Sequence, residues 1–305
     1  MRKFLIIFSI LLFPLIDLNA QGCCSISINS LGSTECGTID KGSFLLGINY
    51  WHLNSSAYYQ NSKKENDPLK RNAFGNNFLF DIEYGFTKNL SIYLSVPFNF
   101  YIRETNLNGI SNVYHNYGLG DIILMAKVNP NFQTFGSNAS LNIGFGVKFP
   151  SGKNDSEQDG IQLPIDLQLG TGSFDFLLWG FFQESLAERL RFTQSLLFKI
   201  YTKNPDNYLF GNELNLNSSL YFDIINDFLT ANLLVRFQKR WKDKLDNQVV
   251  VNSGRLLIEV LPGVQFDLFG VGTRFNFGIP IYTRVEGSQL SLLYRIGLEL
   301  RYKIN

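Results

Sequence analysis

The sequence predicts an all-β protein, a single transmembrane antiparallel up-and-down β-barrel of about 12 strands. Three observations support this prediction. Apolar and polar residues alternate over segments of ten or more residues, no helical period competes with them in the mature chain, and long and short polar connections follow one another in turn. Strands of soluble sandwiches average about five or six residues, whereas a tilted strand that crosses a bilayer needs about nine to eleven.

The first twenty residues have the pattern of a secretory signal. Arg2 and Lys3 form a basic start, residues 4–16 are apolar, and Ala20 ends an acceptable cleavage site. The apolar run is too short for a spanning helix. We therefore expect a signal peptide at 1–20, a periplasmic N-terminal segment at 21–42, and an outer-membrane barrel at 43–305.

All three cysteines, Cys23, Cys24 and Cys36, follow the predicted cleavage site. In an oxidising compartment Cys36 can form a disulfide with Cys23 or Cys24. Lipid attachment at Cys23 is an alternative, although Ala20 stands where a lipobox has Leu. A zinc site is a third reading, but no His lies nearby and the spacing matches no standard zinc pattern.

The strands are predicted from period-two alternation, and residues 141–149 show it in its simplest form. Closure of a barrel in lipid turns the apolar side outward, so one set of residues faces lipid and the other the interior. The lipid-facing set is Leu141, Ile143, Phe145, Val147 and Phe149, and the inward set is Asn142, Gly144, Gly146 and Lys148. The predicted strands are 44–50, 78–86, 90–102, 119–129, 141–149, 162–184, 190–202, 210–224, 228–241, 254–267, 271–284 and 290–304.

The segment 162–184 is ambiguous because its apolar positions change face at residues 170–173. The glycines there allow a bulge within one long strand or a turn between two short ones. One bulged strand keeps the strand number even and keeps all long connections on one side, so we favour it. These connections, which we expect to be external, are 54–75, 103–118, 151–161, 203–209 and 242–253.

Charged residues at inward positions are the candidates for a functional interior. They are Asp81, Glu83, Asp121, Lys127, Lys148, Lys199, Arg236, Glu259, Arg274, Arg295, Glu299 and Arg301. They either fill a narrow barrel as paired charges or line a polar passage. In the second case we expect them to line a pore with one acidic wall and one basic wall.

Other chemistry finds little support in the sequence. Common hydrolase and nucleotide-binding templates are absent, and His52, near Ser55 and Ser56, is the local candidate for a catalytic residue. The second histidine, His115, falls in a predicted external loop. We expect no enzyme and no cofactor.

Metal and nucleic acid are the remaining ligand classes to weigh. Asp155, Glu157 and Asp159, with Asp166 further on, match a calcium loop only in part, so we expect no metal site. Removal of the signal leaves 25 basic and 25 acidic residues without basic tracts, which indicates no nucleic-acid partner.

Three stretches resemble one family: GLGDI at 118–122 with Lys127, KFPSG at 148–152, and LP at 163–164 followed by LQLGTGS at 167–173 and Asp175. The chain is similar to the outer-membrane barrels named for the meta-pathway of phenol degradation. That resemblance implies a transporter of small, often aromatic, compounds. Near the chain end, Arg295, Gly297, Leu300 and Tyr302 resemble the signal by which barrels are recognised for insertion.

We therefore predict an outer-membrane channel of a Gram-negative cell for passive passage of small solutes, aromatic or hydrophobic compounds included. The alternatives are a structural or adhesive barrel and, third, an outer-membrane lipase using His52. The expected partners are membrane lipid, a small-molecule solute and the insertion machinery. The sequence leaves open the solute, the oligomeric state and whether the lumen is open or plugged.

Overall fold

The structure is a computed structural model that describes residues 37–107, 110–130, 138–225 and 228–305. The predicted signal peptide and all three cysteines lie outside these ranges. Within them, no helix has the length and apolar character needed to cross a membrane.

Twelve antiparallel strands form the barrel, and we number them in chain order. They are β1 Phe44–Asn54, β2 Asn72–Thr87, β3 Leu90–Leu107, β4 in two segments (β4a Ile110–Leu119 and β4b Ile123–Val128), β5 Ala139–Lys148, β6 Asp175–Ala187, β7 Leu190–Ile200, β8 Glu213–Ile225, β9 Leu229–Arg240, β10 Arg255–Leu268, β11 Val271–Val285 and β12 Tyr294–Ile304.

The sheet closes between its first and last strands. Each strand pairs with its neighbours in sequence, and β1 pairs with both β2 and β12, with Phe44 opposite Ile304. The sheet therefore has no open seam between its ends, as a lipid environment requires. The predicted fold class and strand number are confirmed.

The two faces of the strands are as predicted. In β5, Ile143 and Phe145 are about half exposed, at 49% and 51%, while Asn142 and Lys148 are buried inside. Side chains such as Phe80 and Leu178 continue this exposed apolar surface around the barrel. A soluble protein rarely exposes so continuous an apolar surface, so it is accounted for by contact with lipid.

The prediction of one bulged strand over 162–184 is wrong. The strand β6 begins at Asp175, and the preceding residues form a long connection that contains a short 3₁₀ helix, Ile165–Leu167. Leu163 and Leu167 are buried within this connection. The apolar pattern before residue 170 therefore reflects packing of the connection upon itself, and the change of face is its junction with the strand.

The predicted loop at 103–118 is also wrong, because β3 and β4a continue through it as a hairpin. Arg103 lies opposite Tyr114, and Leu107 lies opposite Ile110. These residues extend beyond the apolar band, where strand pairing no longer requires an apolar face. The end of the hydrophobic alternation therefore does not mark the end of the strand.

The two ends of the barrel differ in their connections. Short turns join Thr87 to Leu90, Ala187 to Leu190 and Leu268 to Val271, whereas long connections with small hairpins lie at the opposite end. Neighbouring connections are joined there, since Ala57–Gln60 pairs with Ser288–Ser291 and Tyr208–Leu209 pairs with Lys244–Leu245. In outer-membrane barrels the long-loop end is external.

Candidate functional site

The barrel interior is the candidate functional site, and it has two halves. We call the inward face of β2 to β7 the paired half, and the inward face of β8 to β12 together with β1 the arginine half. All twelve predicted interior charges point inward in the structure, and eleven of them are buried; Lys199 is partly exposed near the external end.

The paired half combines the buried ion pair of Glu83 and Lys127 with an apolar cluster. Lys127 Nζ lies 2.8 Å from Glu83 Oε2, and both side chains are excluded from solvent. The ammonium also lies over the rings of Tyr93 and Trp179, at 4.8 and 5.1 Å from their centroids. The surrounding cluster consists of Tyr93, Ile123, Met125, Leu177, Trp179, Phe181 and Leu197. This half of the interior is packed like a protein core.

Glycines in β5 make room for this cluster. A Cβ atom on Gly144 would lie 3.0 Å from the Trp179 ring, and one on Gly146 would lie 3.2 Å from the Met125 Cβ atom. The inward glycines of the predicted strand therefore leave space that large neighbouring side chains occupy. They do not widen a passage.

The arginine half is organised around Trp51. Arg236 and Arg295 lie over the Trp51 ring, at 6.0 and 5.8 Å, and Arg295 Nε lies 2.7 Å from Glu259 Oε2. A Cβ atom on Gly297 would lie 2.5 Å from the Trp51 ring, so only glycine admits this ring position. The glycine of the chain-end signal thus has a packing role.

The expected separation into an acidic and a basic wall is wrong. Glu299 lies next to Arg301 on the same strand and 3.9 Å from Arg274, so acids and bases are interleaved. Burying unpaired charge is too costly for one wall to carry a single sign.

The three family motifs meet in one cluster at the external end of the paired half. Lys148 Nζ contacts the carboxylates of Asp121 and Asp175, the latter at 2.7 Å. Asp121 also accepts hydrogen bonds from the backbone N–H groups of Gly152 and Thr171, at 3.0 and 2.9 Å. The motifs therefore fasten the long connection before β6 onto the point where β4 is interrupted.

A row of four inward residues crosses the external end of neighbouring strands β7 to β10. Lys199, Glu213, Arg240 and Arg255 lie opposite one another in register. Lys199 pairs with Glu213 at 3.2 Å, and Arg240 pairs with Asp243 at 2.9 Å. Arg255 has no ion pair with any residue that the structure describes. Sequence reasoning missed Arg240, Arg255 and Asp243 because they lie at strand ends or in a connection.

Tyr208 holds the external connections above this row. Its hydroxyl donates a hydrogen bond of 2.6 Å to Asp243. Burial, reinforced by this bond and by the charge of Asp243, holds the pKa of the Tyr208 phenol above its ordinary value. The phenol therefore remains a neutral donor throughout the physiological range.

Residues 37–43, which we call the strap, cross the short-turn mouth of the barrel. Thr38 N donates to the inward Asn142 Oδ1 of β5 at 3.1 Å, while Gly42 N donates to Gly85 O of β2 at 2.8 Å. Ile39 is buried, and Lys303 of β12 contacts Asp40. The strap thus touches three strands around the mouth.

The remaining predicted residues form no site. His52 points outward, with its Nδ1 atom 2.9 Å from Asn76 Oδ1, and its ring lies beside Phe74 and Tyr294. The Ser56 hydroxyl accepts a hydrogen bond from Ala73 N. The backbone of His115 donates to Gln158 Oε1.

The partial calcium loop also does not assemble. Asp155, Glu157 and Asp159 are exposed, and Asp166 pairs with Arg103. Across the described ranges, no three His, Cys, Asp or Glu side chains are grouped so that they could hold a metal ion.

Comparison with known proteins identifies the family. Residues 72–254, which make up 183 of the 305 residues, match the family described as "Putative MetA-pathway of phenol degradation". The chain belongs to this family. The match includes every motif of the external cluster and most of the barrel, and the resemblance predicted from the sequence is confirmed.

A solved structure agrees with the fold. An outer membrane channel from Pseudomonas putida F1 superimposes with a TM-score of 0.70 at 13% identity, covering 88% of this chain and 97% of that one. The NanC porin gives a TM-score of 0.47 at 8% identity, covering 85% of this chain and all of that one. Comparison with proteins of curated function gives no match.

Proposed function

We propose that the protein is an outer-membrane channel for the passive passage of small solutes, and that its short-turn mouth is closed by the strap at rest. The fold of the Pseudomonas putida channel and membership of the phenol-degradation family support this proposal. The family description also supports aromatic compounds as one class of solute.

The ion pairs inside the barrel carry the proposal. Replacement of a buried ion pair by apolar residues of similar volume is often neutral or stabilising, so stability alone gives no reason to keep such pairs. Ionisable residues within the membrane are typical of solute and ion pathways. Here they extend from Glu83 and Lys127 near the strap to Asp121 and Lys148 at the external end.

Passage requires movement, because side chains and the strap fill the interior. Lys127, Arg236 and Leu261 are among the fully buried side chains. The strap rests directly on Gly85, where an added Cβ atom would lie 2.0 Å from the Asp40 carbonyl oxygen. A side chain at this position must therefore displace the strap.

Conductance in planar lipid bilayers tests the proposal. We expect small, discrete conductance steps from the purified barrel, and a severalfold larger conductance from Gly85→Ala because the strap is displaced. Gly180→Ala is the control, since an added Cβ atom there would meet no heavy atom within 4 Å. Equal conductance of Gly85→Ala and the wild type would reject the strap as the closure.

A purely structural barrel is the second candidate, because the packed interior of the paired half supports it. It predicts that the folded protein shows no conductance at all, with either the wild type or Gly85→Ala. This outcome would reject the channel.

Export and assembly complete the proposal. The signal pattern at 1–20 supports secretion to the periplasm of a Gram-negative cell, and the chain end supports recognition by the barrel-insertion machinery. Residues 21–42 would then lie on the periplasmic side, where Cys36 forms a disulfide with Cys23 or Cys24, or Cys23 carries a lipid. Mass spectrometry of the mature chain separates these two fates.

A further inference from the structure

A groove of about 590 Å³ lies on the outside of the barrel at its long-loop end. Its aromatic wall includes Phe198 of β7 and Trp241, which follows β9; their rings meet edge to face at 6.1 Å. Trp241 is 44% exposed. Aromatic side chains in this position are typical of the interface between lipid tails and headgroups.

The groove is strongly basic. Three lysines line it, Lys239, Lys242 and Lys244, together with part of the inward-pointing Arg240, against a single acid, Glu286. Arg240 is paired with Asp243, and Lys242 lies 3.4 Å from Glu286. Lys239 and Lys244 form no ion pair with a described residue. Two positive charges are therefore available to a ligand.

The position of the groove relative to the apolar band indicates what can reach it. Lys239 continues the outward-facing positions of β9, after Leu233, Val235 and Phe237. Leu196 occupies the corresponding outward face of β7 below Phe198. A ligand in the groove would thus have its charged end among lysines and its apolar end along the barrel wall.

We propose that this groove binds the phosphate-bearing headgroup of a lipid in the external leaflet. Lysine ammonium groups are effective phosphate ligands as point charges, and each cation near a charged membrane surface contributes measurably to binding. The aromatic pair and the leucines below the lysines provide the surface for the lipid's acyl chains. The site lies outside the barrel, so the proposal is independent of solute passage.

The experiment is a titration of the full folded barrel in nonionic detergent with diphosphorylated lipid A, followed by tryptophan fluorescence. The chain has three tryptophans, and Trp51 and Trp179 are buried, so the signal reports Trp241. We expect saturable binding, and an increase of about 30-fold in the dissociation constant for the double variant Lys239→Gln/Lys244→Gln. Loss of the signal in Trp241→Phe would confirm the reporter.

The double variant Lys63→Gln/Lys64→Gln is the matched control, because it removes two lysines from another exposed long-loop hairpin. We expect less than a twofold change from it. Equal weakening by both double variants would overturn the proposal in favour of general charge attraction. Equally tight binding of dephosphorylated lipid A would overturn the phosphate requirement, and competition by inorganic phosphate at equal concentration would overturn the lipid requirement.

Discussion

The two halves of the interior accommodate their buried charges differently. In the paired half, the ion pair of Lys127 and Glu83 is enclosed by aromatic and aliphatic side chains. In the arginine half, Arg236 and Arg295 lie over Trp51, and Glu299 is shared by two further arginines, Arg274 and Arg301. The first half resembles a core in which lysines pair with carboxylates, and the second resembles a network in which a single acid, Glu299, contacts two arginines.

This difference indicates where a charge can be removed without a large loss of stability. When one charge of a buried ion pair is removed, the other charge stays buried without that partner, which costs the full desolvation energy. A charge without an ion pair near the external end leaves nothing behind. The effects of substitution should therefore follow the pairing of each residue more closely than its position along the barrel.

The largest loss of stability is expected when the ion pair between Glu83 and Lys127 is broken. Glu83→Gln should lower the free energy of unfolding by about 3–5 kcal/mol, because it breaks the buried ion pair with Lys127. Urea unfolding followed by tryptophan fluorescence measures this loss. Arg255→Gln is the matched control and should change stability by less than about 0.5 kcal/mol. A loss for Arg255→Gln as large as that for Glu83→Gln would remove the distinction between the halves.

Packing in the arginine half gives the next effect. Gly297→Ala should cost about 1–3 kcal/mol, because the new methyl group overlaps the Trp51 ring and moves it away from the arginines. The same unfolding assay measures the loss, with Gly180→Ala as the control. If both variants are equally stable, Trp51 does not organise this half.

The smallest effect lies outside both halves, in the long-loop pair of Asp67 and Arg71. Burial alone would raise the pKa of Asp67, but hydrogen bonds from Arg71 outweigh it and lower the pKa below its ordinary 3.8. The pair therefore stabilises its loop above that ordinary pKa and loses this contribution as the pH falls through the lowered value.

Hydrogen exchange measures this contribution. Asp67 Oδ2 accepts a bond of 2.7 Å from Arg71 N, so protection of that amide should decrease on acidification, by about 0.5–1 kcal/mol. Asp67→Asn should show no such pH dependence. If acidification lowered the protection by as many kcal/mol as Glu83→Gln lowers the stability, exclusion of water would not explain the difference between the Asp67–Arg71 pair and the Glu83–Lys127 pair.

Sequence reasoning predicted the fold because lipid imposes a strict period on every residue that contacts it. The outward Phe145 and the inward Lys148 follow from this period alone. The errors at 103–118 and 162–184 lie beyond the lipid, where Arg103 pairs across a hairpin and Leu167 packs within a connection. Beyond the lipid, the side of the strand on which a residue lies no longer determines whether that residue must be apolar.

The inward direction of the interior charges was predicted, but their partners were not. Pairing depends on which strands become neighbours and on the tilt of the barrel, neither of which is visible in the alternation. Glu299 was expected on a wall of bases and indeed lies among them, but as their shared acid. The strap was missed because residues 37–43 show no alternation and form no strand.

The position of Trp51 over Gly297 has a consequence for how the barrel assembles. Trp51 belongs to the first strand and Gly297 to the last, so their contact cannot form until the two ends of the sheet have met. Every other strand pairing can form between neighbours in sequence while the chain is still an open sheet. The fluorescence of Trp51, recorded in a chain whose other tryptophans are replaced by phenylalanine, should therefore report the moment of ring closure during insertion.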